Sequence, residues 1–381
     1  MLKRRWLTAG ETGVVIGLAI ALRLTLLPHQ TSDFRDFLFP WYQYIAHHGG
    51  FWALGDGFSN YTPLYLYGLV MVQGSLSHWP PVMAVKFIAL PFDGLAAVCL
   101  YRCWQWPWPT FTSPIPRLLA LTFLFSPTLV LNGAYWGQSD IIYTTGLVAC
   151  LWALIRQRPH VALIAFALAI AVKLQAIWLL PALLIWAGYG QIPWWAFGWI
   201  PVVYGITCVP AAIAGRPWSE LLTIYFSQAN SYPFLTLNAP NLYQWVPNRY
   251  FGVIYPGVLF LAIAVIILFI GVMVRRKLSP TPLTLIQLSL ISVVLVPFVL
   301  PKMHERYFFA ADVLSLLYVG YFPQRFWVAP AINGISLFSY WPFLVGGQMI
   351  PLQFLALCLG GILVFLIGNV KDDPAPVANP N

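Results

Sequence analysis

An all-α polytopic membrane protein is what this sequence of 381 residues predicts, on three observations. The chain is 60% hydrophobic and only 8% charged, whereas soluble domains run near ~25% charged, and its mean hydropathy is +0.75. Apolar runs follow one another almost without interruption, and no polar stretch between them is long enough to fold alone. The basic residues punctuate these runs as cytoplasmic anchors do, so the net charge of +9 speaks for orientation in a bilayer and against nucleic-acid binding.

A spanning helix needs about 20 apolar residues. About 12 transmembrane helices are predicted on the apolar periodicity, at 10–28, 82–103, 117–134, 139–156, 160–172, 175–190, 195–214, 252–274, 282–300, 308–322, 326–344 and 350–369. The Lys3-Arg4-Arg5 start imitates a signal peptide, but no small-residue cleavage site follows it, so 10–28 is read as the first span. With the amino terminus inside, the Arg275-Arg276-Lys277 cluster also falls on the cytoplasmic side, together with Arg102, Arg117, Arg156, Arg158, Arg325 and Lys371. A single span over 160–190 would carry that cluster outside. Two short helices meeting near Lys173-Leu174-Gln175 at the outer surface keep it inside, and that arrangement is predicted.

Residues 1–371 then form one transmembrane domain with two long external loops, 29–81 and 215–250, and a disordered tail over 372–381. In the first loop, Pro40 starts and Gly49-Gly50 ends an amphipathic stretch from Phe37 to Ile45. Its Phe37, Leu38, Phe39, Trp41, Tyr42 and Ile45 are available to the lipid interface. A second membrane-parallel stretch begins at Tyr61-Thr62-Pro63-Leu64-Tyr65. The five cysteines show no metal spacing and no disulfide framework, and are read as small packing residues.

A charge at the centre of a membrane helix costs about 2.5–3.5 kcal/mol. Rare ionisable residues that collect at the ends of several apolar segments therefore point to a catalytic or ion-handling centre. Asp33 and Asp36, three residues apart, share a helix face, and either carboxylate suits removal of a proton from an acceptor hydroxyl; the alternative is a solvated helix cap. Lys302, His304 and Arg306 carry donors that suit a phosphate oxyanion, and Lys173 with Gln175 has the same reading. Trp136-Gly137-Gln138-Ser139-Asp140 is either a tight connection in which Asp140 caps the next helix, or a sugar site in which Gln138 and Asp140 bind hydroxyls and Trp136 packs on a ring face. Tyr61 and Glu305 are further candidate substrate contacts, and Asn238, Asn241 and Gln244 either contact a glycan or stabilise their loop. Asp93 lies inside a span and needs a hydrogen-bond partner, so a structural role is expected there. His47 and His48 read as a helix end, and no Gly-rich phosphate loop, zinc motif or Ser-His-Asp pattern occurs.

Taken in order, Ser32-Asp33-Phe34, Asn60-Tyr61-Thr62-Pro63-Leu64-Tyr65, Trp136-Gly137-Gln138-Ser139-Asp140, Lys173-Leu174-Gln175 and Met303-His304-Glu305-Arg306-Tyr307-Phe308 give the chain a resemblance to the GT-C superfamily of membrane glycosyltransferases. It looks closest to bacterial relatives of the dolichyl-phosphate-sugar mannosyl- and glucosyltransferases. The resemblance implies a GT-C-like fold whose first external loop carries membrane-parallel helices, and an active site on the non-cytoplasmic side of a cell membrane, with a bacterial plasma membrane favoured. It implies inverting transfer of a hexose, mannose or glucose favoured, from a polyprenyl-phosphate sugar to a glycolipid, polysaccharide or protein acceptor. Asp33 maps to the family's acidic base, with Asp36 as competitor. The family often carries adjacent acids or Asp-x-Asp here; this chain has Asp-x-x-Asp, and no divalent metal or other cofactor is predicted. The rival functions are a multispan transporter or flippase for lipid-linked glycans and a noncatalytic membrane assembly subunit.

Overall fold

Many of the chain's 32 prolines stand where a helix begins, because the first turn has no use for the amide proton that proline lacks. Pro63, Pro81, Pro91, Pro116, Pro127, Pro159, Pro181 and Pro282 all occupy the first or second position of a helix. The computed structural model describes residues 9–106, 114–229 and 232–370. The basic start Lys3-Arg4-Arg5 and the predicted tail 372–381 lie outside the described residues.

The first half consists of α1 (Ala9–Leu26), α2 (Phe39–His47), α3 (Pro63–Ser75), α4 (Pro81–Phe87), α5 (Leu90–Trp104), α6 (Ile115–Phe123), α7 (Pro127–Val130), α8 (Asp140–Ile155) and α9 (Pro159–Val172). The second half continues through α10 (Leu180–Gly188), α11 (Trp199–Ile213), α12 (Trp218–Ala229), α13 (Phe251–Arg276), α14 (Pro282–Val299), α15 (Phe309–Tyr321), α16 (Val328–Leu344) and α17 (Leu352–Gly368). A two-residue parallel pair joins Thr236–Leu237 to Met303–His304.

Helices stand at every predicted span, but they are not twelve equal rods. Among the described residues, five helical stretches are long and apolar enough to cross a membrane, at Ala9–Leu26, Pro81–Trp104, Trp194–Ile213, Asn248–Arg276 and Pro282–Val299. A sixth is the pair Ile115–Phe123 and Pro127–Trp136, bent by 42°. Shorter apolar helices, including Asp140–Ile155 and Pro159–Val172, make up much of the rest. Broken and short elements are tolerated at membrane depth where their backbone is buried in protein. The helix α14 is buried along nearly its whole length and carries no one-sided apolar stripe, as a central helix requires. By contrast, α1 and α13 expose most of their apolar side chains and form the lipid-facing flank. Gly146 allows α8 and α9 to meet closely: a Cβ there would stand 2.9 Å from that of Ala169.

A second, smaller core is built from α2, α3 and α4, and it corrects one sequence expectation. Leu38, Trp41, Tyr42 and Ile45, read as lipid-facing, are buried with Tyr65, Leu66 and Leu69 of α3. Phe37 remains exposed. The apolar face of this segment is satisfied by protein. The five cysteines are unpaired.

The expected partner of Asp93 is Arg23, which crosses from α1 to α5 and places its Nε 2.5 Å from Asp93 Oδ2, both side chains being buried. The same guanidinium donates to the Ala19 carbonyl at 3.0 Å. Asp93→Ala is expected to destabilise the protein by about 3–5 kcal/mol, because it strands a buried cation. Arg23→Leu combined with Asp93→Leu should cost less than Asp93→Ala. Unfolding in mixed detergent micelles reads both.

Candidate active site

Six chain connections converge on one cavity of about 520 Å³, the α2–α3 and α12–α13 connections adding Tyr61 and Asn238. Its lining takes in Asp33 and Asp36 from the α1–α2 connection and Gln138 from that between α7 and α8. Lys173 and Gln175 come from the break between α9 and α10, and Lys302, His304, Glu305 and Arg306 from the α14–α15 connection.

Asp33 opens a π-helical turn, Phe34–Leu38, ahead of α2. Its Oδ2 accepts from Gln138 Nε2 at 2.5 Å and from Trp136 Nε1 at 3.0 Å, and Arg306 Nη1 stands 3.7 Å away. The Trp136–Gln138 segment can supply both donors because α7 runs into a second π-helical turn, Leu131–Trp136, which closes on Gly137 at a left-handed φ of 87°. That backbone angle suits glycine and carries the chain straight into α8. Asp36 lies exposed at the cavity wall.

Lys173 sits in an extended break after α9, before the 3₁₀ turn Leu174–Leu179. Two short helices therefore do meet at Lys173-Leu174-Gln175. Its ammonium is 2.5 Å from Asp140 Oδ1, while Asn132 donates to Asp140 Oδ2 at 2.9 Å. Burial alone would lower the Lys173 pKa, but the Asp140 carboxylate, with help from Tyr61, holds it above the ordinary value. Tyr61 lies under this ammonium, 5.9 Å from ring centre to Nζ, and Thr62 fastens its segment to the Val172 carbonyl at 3.0 Å.

The α14–α15 connection supplies the other wall. Arg306 is shared between two carboxylates, Asp33 at 3.7 Å and Glu305 at 3.6 Å, and stacks 5.7 Å from the Trp136 ring. Burial pushes the Glu305 pKa up to about 7, against the pull of Arg306. Burial, with Arg306 and Lys173 nearby, holds His304 well below its usual value and so neutral. Lys302 adopts a left-handed φ of 66° and sends its ammonium to the Ala229 carbonyl at 2.8 Å, over the Phe251 and Tyr255 rings.

Glu305 gives a pH expectation whose sign is fixed by the raised pKa. The neutral acid is the form the folded protein favours, so its contribution to stability is full below the ordinary value of 4.5 and is lost as pH rises through about 7. Glu305→Gln should flatten this decline in melting temperature between about pH 5 and 8, as differential scanning fluorimetry in detergent would record.

Among the sequence candidates, the cavity lining includes Asp33, Asp36, Tyr61, Gln138, Lys173, Gln175, Lys302, His304, Glu305 and Arg306. Three others stand behind or away from it. Asp140 and Trp136 are fully buried, the first tying down Lys173 and the second Asp33, so neither presents itself to a sugar. Asn241 is also fully buried; it accepts from the Tyr243 amide at 3.1 Å and donates to the Leu300 carbonyl at 3.3 Å, which makes it a loop cap. Gln244 likewise donates inside its own loop, to the Ala239 carbonyl at 2.6 Å. Residues without a sequence signal also line the cavity, among them Gln228, Tyr232 and Tyr255. None of the three carries a charge, so the rarity of charge that marks the other candidates passes over them.

The fold is that of the GT-C glycosyltransferases. The crystal structure of ArnT from Cupriavidus metallidurans bound to undecaprenyl phosphate matches with a TM-score of 0.55 over 95% of this chain and 71% of that one, at 12% sequence identity. Residues 22–245 match the family described as GPI transamidase subunit PIG-U. The chain belongs to the PIG-U family. The matched segment carries Asp33, Tyr61, the Trp136–Asp140 turn and Lys173, and ends before the connection that bears Arg306. No curated protein sequence matches the chain. Membership in this family and the GT-C fold together make the chain a multi-pass membrane protein.

Proposed function

We propose that the protein transfers a hexose, mannose or glucose, from a polyprenyl-phosphate sugar to an acceptor hydroxyl at the non-cytoplasmic face, with inversion. The observation that carries this reading is the cavity itself, in which a carboxylate held by two neutral donors faces a cationic wall. All three groups around Asp33 converge on Oδ2, which leaves Oδ1 to take the proton of the acceptor hydroxyl. The acceptor oxygen bonds to the anomeric carbon as the bond from that carbon to the phosphate oxygen breaks. Its electron pair leaves with polyprenyl phosphate. A phosphate leaves as an anion, so no strong acid is needed on that side. Stabilisation falls to Arg306 and Lys302, with a hydrogen bond from neutral His304. Gln175, whose Oε1 is buried without a hydrogen-bond partner among the described residues, is suited to a sugar hydroxyl. These cations supply the charge that a metal would otherwise bring, so turnover should survive EDTA unchanged. Loss that divalent cation restores would overturn that part of the reading.

A second reading is favoured by the family description: a noncatalytic subunit of a membrane assembly, which binds the donor lipid without transferring its sugar. The flippase alternative needs a charged route through the bilayer, whereas two of the deep ionisable groups here are locked in place, Asp93 by Arg23 and Lys86 by four carbonyls. The deciding experiment supplies purified protein in lipid nanodiscs with polyprenyl-phosphate mannose or glucose and a panel of acceptors. Released polyprenyl phosphate together with a new glycoside supports transfer. Saturable donor binding with no release under any acceptor supports the subunit.

A further inference from the structure

Lys86, on α4, is almost fully buried. No salt bridge reaches it among the described residues; its ammonium is enclosed by main-chain carbonyls. It donates to His29 at 2.7 Å, Ala134 at 2.9 Å and Tyr135 at 2.6 Å, and reaches Leu26 at 3.4 Å. These acceptors belong to two helix carboxyl ends. Leu26 closes α1 and His29 comes just after it, while Ala134 and Tyr135 lie in the last turn of the Leu131–Trp136 segment. A helix carboxyl end carries unpaired carbonyls and a partial negative charge, so one ammonium between two such ends satisfies both.

Each of these helix ends leads directly into the site. The first reaches Asp33 within a few residues, and the second runs at once into Trp136 and Gln138, which donate to Asp33. Thr31 closes the same junction by donating to the Trp136 carbonyl at 2.9 Å. The stem of Lys86 packs along Gly137, where an added Cβ would stand 3.3 Å from Lys86 Cε. We propose that Lys86 is a positioning residue, whose ammonium clamps the two helix ends that present Asp33 and its donors to each other. The proposal rests on the transferase reading for its catalytic consequence, since Lys86 itself does not line the cavity.

The test uses the full-length protein in nanodiscs, with Lys86→Met, which keeps the bulk and removes the charge, and Lys86→Ala, which opens a space for a soluble amine. Two readouts are taken, turnover and amide hydrogen exchange over 27–38 and 131–139. For Lys86→Met, turnover should fall by about 10²-fold, the order expected when a reacting group is misplaced by about 1 Å, with donor KM nearly unchanged. Amide exchange should rise in both segments together. In Lys86→Ala, ethylammonium or methylammonium should restore turnover and protection, while tetramethylammonium, which has no proton to donate, should not. Wild-type turnover in Lys86→Met, or loss that no amine relieves, overturns the clamp. If the wild-type protein itself transfers no sugar, the transferase reading fails, and exchange in the two segments decides the clamp alone.

Discussion

Asp33→Asn is expected to abolish sugar transfer while leaving the fold and donor binding largely intact. General-base removal costs about 10²–10⁴ in rate, and the asparagine oxygen can still accept from Trp136 and Gln138, so the surrounding turn has no reason to rearrange. Asp36→Asn should retain most activity, because Asp36 is exposed and lies outside the group of donors around Asp33. Release of radiolabelled polyprenyl phosphate is the measurement. Normal turnover by Asp33→Asn, with Asp36→Asn inactive, would move the base to Asp36.

Arg306→Ala is expected to act mainly on the donor. A hydrogen bond to a charged group contributes about 1.5–3 kcal/mol, so the donor dissociation constant should rise roughly 10- to 100-fold. Arg306→Lys should recover only part of this, because an ammonium cannot grip a phosphate with two parallel bonds. The ion pair with Asp33 adds a second consequence. The guanidinium lies between Asp33 and Glu305. Removing Arg306 leaves the two acids without their shared cation and takes away the pull that lowers the Glu305 pKa, so the decline in melting temperature with rising pH should continue past the wild-type Glu305 value of about 7. Titration of donor analogue by calorimetry separates the effects: unchanged affinity would end the assignment of Arg306 to the phosphate.

Membrane character, the helix positions and the break at Lys173 were readable from composition and punctuation alone. In a bilayer the backbone must satisfy itself, which leaves the sequence few alternatives to helix. The need of Asp93 for a partner was readable too, since an intramembrane acid without one is costly. Asp33, Lys173 and Arg306 stood out by rarity of charge. Pairing was another matter. That Arg306 reaches Asp33, and that Lys173 is held by Asp140, depends on four connections separated by long stretches of chain.

The amino acids by themselves determined a multi-pass helical protein with its chemistry collected at helix ends, because water-avoiding runs and scarce charges leave plain marks along the chain. Only the tertiary structure decided which polar groups meet a substrate and which hold the scaffold. Asn241 and Asp140 look like sugar ligands in one dimension and prove to be a loop cap and an anchor. Lys86 looks like one more charge in a span and proves to join two helix ends. The physical reason is that its partners are main-chain carbonyls, which every residue possesses, so no side-chain pattern can announce them.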